Sequence, residues 1–179
     1  MYMMPKKHSE NPILELEEAV STLKLIDGFN DLIPQVGTNI VYAKSNPVSS
    51  KDIAGIEGRI IKGKSKPMVC GKIVFEGSEY LASVVLEAVR LNKKVLSAIN
   101  IRGGGDIPSL FDRVNLDYLV LPSKLMDPGC PVAYHLKKAE VLCDAYIHPG
   151  DFGIEPTTTI LAESPSQLVE IVSELVEHE

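Results

Sequence analysis

The sequence predicts an α/β domain in which a mixed β-sheet is covered by helices on both faces. Short β-branched segments resembling hairpin strands crowd the first half of the chain, and strand–helix alternation takes over in the second. That order argues against a pure doubly wound sheet. The scale agrees: 179 residues, 45% hydrophobic and 23% charged, make one ordinary domain with enough chain to bury a core.

The elements follow in order. Residues Met1 to Asn11 are polar, carry Lys6, Lys7 and His8, and read as a frayed tail. They lack an apolar h-region, so no signal peptide is expected. From Pro12, Ile13, Leu16, Val20 and Leu23 trace one buried helical stripe. Glu15, Glu17 and Glu18 come early and Lys24 late, as the helix dipole favours. Asp27-Gly28 ends the helix, with Gly28 a left-handed cap. Asn39–Ala43, Gly58–Ile61 and Met68–Phe75 read as strands. Between the last two, Lys62, Lys64 and Lys66 around Gly63 form the basic tip of a hairpin. Ser78 caps a helix running to about Leu91, with Leu81, Val84, Val85, Ala88 and Leu91 facing inward. Val95–Ile101 is a buried strand followed by Arg102-Gly103-Gly104-Gly105-Asp106, and a helix starts near Pro108. Tyr118–Leu121 reads as a fully buried strand, Val132–Ala139 as a short helix and Ala145–Ile147 as a strand. Thr157–Leu161 reads as a strand with outward threonines. The last helix is the clearest: Ser164 and Gln167 form a capping box, Pro165 takes the first position, and Leu168, Ile171, Val172 and Leu175 form the stripe.

Charge and cysteines narrow the function. Eighteen basic against 24 acidic residues give a formal net charge of −6, which does not steer a chain toward nucleic acid. No apolar run reaches the ~20 residues of a membrane span. Cys70, Cys130 and Cys143 are an odd number without a CxxC pair. They imply neither disulfides nor zinc, and read as buried small hydrophobes of a cytoplasmic protein.

Three segments carry candidate chemistry. The first is the strand end Asn100-Ile101-Arg102 with Gly103, Gly104 and Gly105 and a helix start behind it. Ligands of α/β folds sit beyond strand carboxyl ends, where glycines bring backbone N–H groups close to an anion and an arginine can grip a phosphate. Against this stands a plain glycine turn beside a surface arginine. The second is Gly58-Arg59, a cation at a strand start; the nearby lysines read as a solvated edge. The third is His148 to Pro156, a proline- and glycine-rich loop in which Asp151 and Glu155 can meet a ligand hydroxyl, an amine or magnesium attached to phosphate. His148 is read as structural, and no histidine has a Ser or Cys partner for triad chemistry.

Five motifs in order then carry a resemblance: Leu32 to Ala43 (LIPQVGTNIVYA), Gly58-Arg59-Ile60, Phe75-Glu76-Gly77-Ser78, Ala98 to Arg102 (AINIR) and Gly150 to Pro156 (GDFGIEP). Across about Phe29 to Val176 the chain resembles the archaeal-type thiamine-phosphate synthase family, called ThiN. The resemblance implies a three-layer α/β/α fold with a mixed sheet, like the class II aldolases (AraD-like). It divides the chain into a tail and helix, residues 1–28, and a ThiN-like domain, residues 29–179, compact as a whole. Family enzymes join hydroxymethylpyrimidine diphosphate to thiazole phosphate and release pyrophosphate, and other members sense thiamine phosphates. The implied catalytic positions are Arg59 and a histidine whose place is taken here by Tyr80. The ligand- and phosphate-binding candidates are Asn39, Ser78, Asn100, Arg102, Gly103, Gly104, Asp151, Gly153 and Glu155; the glycines after Arg102 come from the strand-end reading and depart from the family, where larger residues are expected. Tyrosine, with a reference pKa near 10, is a poor proton carrier at neutral pH. Three roles stay open: a thiamine-phosphate-binding domain without synthesis, an active synthase, or the effector-binding part of a regulator. No resident metal is implied, magnesium fits only with a diphosphate, and a homodimer is compatible. DNA binding by this chain alone is not expected. The four histidines are too scattered for aldolase zinc ligation.

Overall fold

A computed structural model of the chain describes residues 11–124 and 129–179; the expected N-terminal tail, through residue 10, lies outside the described residues. A seven-stranded sheet forms the centre. Its strands in chain order are β1 (Ile40–Ala43), β2 (Ile53–Ile56), β5 (Ile73–Phe75), β6 (Ser97–Arg102), β7 (Tyr118–Val120), β8 (Ala145–His148) and β9 (Thr157–Ala162), arranged β5-β2-β1-β6-β9-β8-β7. β7 and β8 run parallel and every other neighbouring pair is antiparallel, so the sheet is mixed as expected. A separate two-stranded hairpin, β3 (Arg59–Ile61) with β4 (Met68–Cys70), carries the lysine tip. Lys62 pairs there with Asp31 at 3.0 Å, and Asn30 exchanges two hydrogen bonds with the backbone of Gly63.

Two apolar layers fill the space between sheet and helices. On one face lie α1 (Pro12–Leu23), α2 (Phe29–Leu32), α4 (Ile107–Arg113) and α6 (Pro165–Glu177). Leu16, Leu23, Phe29, Phe111, Leu168 and Val172 pack there on Ile40, Ile99, Ile101 and Ile160. The first helix thus belongs to the same core as the rest, with Asn11 accepting the Ile13 N–H as its cap. On the other face α3 (Glu79–Leu91) and α5 (Pro131–Lys138) bury Leu81, Val84, Val85, Val132 and Leu136 against Val41, Ala98, Tyr146 and Leu161. The Tyr146 hydroxyl accepts the Cys143 N–H at 2.9 Å, and burial pushes its pKa up to about 12.

The structure revises several sequence expectations. Met68–Phe75 is not one strand: Gly71, in the left-handed region at φ 92°, breaks it so that β4 and β5 join different sheets. Ile53–Ile56 is an additional strand, and Phe29–Leu32 an additional helical turn opened by Gly28 at φ 92°. The strand beginning at Tyr118 is not fully buried. It is the sheet's edge, with Leu119 and Val120 partly open to solvent. The threonines of β9 do not face outward, because β9 lies inside the sheet under helices on both faces; Thr158 and Thr159 are buried. The three cysteines are free and half-buried, not core residues.

Candidate functional site

A cavity of about 710 Å³ opens at one end of the sheet, on the side covered by α3 and α5. Asn39, just before β1, and Asn100, His148 and Thr157 on β6, β8 and β9 form its floor. The start of α3 supplies Ser78, Tyr80 and Leu81; Ser123, Gly129 and Pro131 come from the connection into α5 and its first residue. Asp151, Gly153, Ile154 and Glu155 come from the loop after β8, with Arg59 and Val36 completing the wall.

The start of α3 is held in place by close backbone approach. A Cβ on Gly77 would collide with the Gly55 carbonyl, and one on Gly55 would press the Ser78 backbone N at 3.3 Å. The Phe75-Glu76-Gly77-Ser78 motif is therefore a tight strand-to-helix joint with Glu76 at φ 63°. Ser78 occupies the N-cap without a side-chain capping bond, so its hydroxyl is free to turn toward the cavity. The first-turn amides of a 13-residue helix have no intrahelical acceptor and carry partial positive charge. Arg59 also lines the cavity and its charge reaches Tyr80 in the first turn of α3, so this end of the cavity suits an anion.

The other wall residues divide by what their polar atoms already do. Asn39 is 5% exposed and spends its amide on backbone. Its Oδ1 accepts from Ile40 and Ile56 N–H at 2.9 and 3.0 Å, and its Nδ2 donates to the Ile56 carbonyl at 2.8 Å. Asn100 Oδ1 accepts the Asn39 N–H at 2.7 Å while its Nδ2 donates to the Gly37 carbonyl at 2.9 Å. Glu155 is engaged through both oxygens, accepting Gln35 and Val36 N–H at 3.0 and 2.7 Å. Arg59 Nη1 donates to the Val36 carbonyl at 3.0 Å. The segment before β1 is thus strapped between Glu155 and Arg59. Asp151 accepts the Phe152 N–H at 2.8 Å in a turn closed by the Asp151–Ile154 bridge.

Tyr80 keeps 39% of its surface exposed, but burial of its hydroxyl beside the Cys130 thiol raises its pKa well above the ordinary tyrosine range, against a smaller opposite pull from Arg59. The group is held protonated, a donor and not a base. Burial likewise raises the pKa of Cys130.

Arg102, Gly103 and Gly104 stand apart from this wall. Arg102 forks onto Asp106 at 3.0 and 2.7 Å and also meets Glu179. Gly103 packs against Pro156 where a Cβ would clash, and its N–H donates to the Pro156 carbonyl at 2.9 Å. The triple-glycine stretch is thus a joint against the loop after β8, and carboxylates occupy the arginine. Asp106 in turn has its pKa lowered, chiefly by the Arg102 hydrogen bond, and Asp52 by the Val48 N–H. Carboxyls depressed below the ordinary aspartate value of 3.8 stabilise the fold above that pH, and the contribution disappears as pH falls through the folded values. Calorimetric melting in acid should show a plateau above about pH 4 and a decline below it. Asp106→Asn should flatten part of that decline; an unchanged slope would remove Asp106 from this account.

The sequence reading named Arg59, Tyr80, Asn39, Ser78, Asn100, Asp151, Gly153 and Glu155, and all eight line the cavity. It did not single out Val36, Leu81, Ser123, Gly129, Pro131, Ile154 or Thr157. Pro131, a proline at a first helical position, was the one legible signal among them.

The family model of the thiamine-phosphate synthase ThiN matches residues 15–174. The chain belongs to the ThiN family. A bifunctional thiamine biosynthesis protein ThiDN of Methanocaldococcus jannaschii is 31% identical over 172 residues, 92% of this chain; the match spans 40% of that longer relative. A thiamine-phosphate synthase ThiN of Methanothermobacter thermautotrophicus is 26% identical, with 92% of this chain and 93% of that protein covered. Among solved structures, the C-terminal domain of a phosphomethylpyrimidine kinase superposes with a TM-score of 0.80 at 29% identity, covering 91% of this chain and 97% of that one. An L-fuculose-1-phosphate aldolase of Thermus thermophilus shares the fold at a TM-score of 0.55 and 10% identity, with 90% of each chain covered. The ThiN domain here therefore has the expected class II aldolase-like architecture. Among the described residues no helix is long and apolar enough to cross a membrane, and no group of three or more His, Cys, Asp or Glu is placed to hold a metal.

Proposed function

We propose that this cavity binds thiamine phosphate or its phosphorylated precursors in the cytoplasm, with little or no synthesis of thiamine phosphate. The carrying observation is the convergence of Arg59, the uncapped Ser78 hydroxyl and the first turn of α3 on one wall. Those groups offer charge-assisted hydrogen bonds to phosphate oxygens. Asn39, Asn100 and Glu155 serve as struts that hold the wall, since backbone groups already engage their polar atoms. Tyr80 adds a hydrogen-bond donor but, held protonated, accepts no proton from a substrate. A diphosphate would bring magnesium as part of the ligand, with Asp151 the carboxylate on the wall nearest to solvent.

A second reading, active synthesis, draws on the same wall. When pyrophosphate leaves, it carries away the bonding electron pair as negative charge. Arg59 and the α3 amides are of the type that stabilises such charge without a proton carrier. Calorimetric titration with thiamine phosphate and with magnesium pyrophosphate, followed by a synthase assay on the same sample, separates the two. Binding without turnover, with Tyr80→His raising turnover, is the expected outcome. Turnover by the unaltered chain that Tyr80→Phe abolishes would establish the second reading. Absence of binding to either ligand would sink both.

A further inference from the structure

We propose that His148 is a ligand-contacting residue of this site, donating a hydrogen bond from its Nε2 to an anionic oxygen of the bound phosphorylated molecule. The inference rests on the reading above that the cavity takes such a molecule.

His148 ends β8, pairs with Thr157 of β9 and lines the cavity, although only 4% of its surface is exposed. The Gly150 N–H donates to its Nδ1 at 3.2 Å. A ring nitrogen that accepts a hydrogen bond carries no proton, so the neutral imidazole holds its proton on Nε2. That N–H has no hydrogen-bond partner among the described residues. Among the described residues the buried side-chain atoms without a partner are the hydroxyl oxygens of Thr38 and Thr158, so the Nε2 of His148 is not sealed in the core but opens on the cavity. The ring is tied at one nitrogen only, and the space it borders is the cavity. An acceptor entering the cavity in place of water meets this N–H, and phosphate oxygens supply that chemistry.

The orientation of the ring is fixed from behind. Pro149 follows it, Gly150 turns the chain at φ 82°, and the bridge between Asp151 and Ile154 closes the loop. Arg59 and the start of α3 approach the ligand from one wall, and His148 approaches it from the sheet floor. The donor that Tyr80 cannot pass on as a proton carrier is thereby joined by an imidazole from a different element.

Two substitutions separate direct contact from loop positioning. Glutamine places an amide N–H near the position of Nε2, whereas asparagine places its polar atoms near Nδ1, where it can still accept from Gly150. Magnesium pyrophosphate is titrated calorimetrically into the full chain and each variant, with melting temperature as the check on folding. The expected result is that His148→Gln binds within a few-fold of the parent while His148→Asn binds about ten- to hundredfold more weakly, the range for a hydrogen bond to a charged group. The reverse order would show that the ring only supports the Gly150 turn, and equal affinities would remove it from the site; either overturns the proposal while leaving the proposed function standing. No binding by the parent overturns both. Should the variants fail to fold, the nitrogen-15 spectrum of the parent's imidazole decides. The Nε2–H resonance must shift on pyrophosphate binding, and a fixed resonance in a chain that binds overturns the proposal.

Discussion

Arg59→Ala should weaken magnesium pyrophosphate binding by about a hundredfold, the upper range for losing hydrogen bonds to a charged group. Among the described residues lining the cavity the guanidinium is the permanent cation, and one of its five N–H donors is committed to the Val36 carbonyl. The others remain for the ligand. Arg59→Lys should recover only part of the loss, because a point charge cannot grip two phosphate oxygens in a planar fork. Stability should change little, since the Arg59 side chain is exposed and the hairpin is anchored in the core by its neighbour Ile60. Equal calorimetric affinities for parent and alanine variant would remove Arg59 from the binding wall and with it the main reason for placing an anion there.

Asn39→Ala should produce the largest loss of stability of any single change at the site, about 3–5 kcal/mol. Asn39 is nearly sealed from solvent, and its amide satisfies the Ile40 N–H, the Ile56 N–H and the Ile56 carbonyl. Removing it strands three buried backbone groups, each costing about 1–3 kcal/mol, with partial relief from water entering the space. For a chain of this length the melting temperature should fall by roughly 10 °C. Thermal melts of the two proteins test this directly. A shift of less than about 2 °C would mean that the β1–β2 junction is not held by this side chain. Asn39→Asp is the informative companion, because it keeps the acceptor for the two N–H groups but sets a carboxyl oxygen against the Ile56 carbonyl in a nearly sealed site.

How much could be read from sequence depended on whether the deciding contact was local. α1, α3 and α6 were legible because their buried stripes repeat at helical spacing, and Ser164 does accept the Gln167 N–H as its cap. β2 was not, since Ile53–Ile56 is four residues long with Gly55 inside it, and that glycine answers to the approach of Ser78. Arg59 and Ser78 were legible as candidates because glycines mark their joints. Arg102 looked equivalent beside three glycines, but Glu179, which helps to occupy it, lies at the far end of the sequence. His148 shows the same limit in reverse. Its neighbours in sequence suggest a rigid loop, and only the pairing of β8 with β9 puts it on the cavity floor.

The order of strands in the sheet also bears on how the chain reaches this state. The central strand β6 pairs with β1 on one side and with β9 on the other, matching Val41 with Ala98 and Ala98 with Leu161. Neither pairing is a hairpin; each closes a long stretch of intervening chain. Such non-local contacts demand loop closure before they return any stabilisation, and domains rich in them fold in milliseconds to seconds. During synthesis the floor of the cavity stays incomplete until Thr157 and the rest of β9 have emerged. Until then β6 presents an unpaired edge, open to pairing with another chain. The recognition proposed for this cavity is therefore a property that the chain would acquire late.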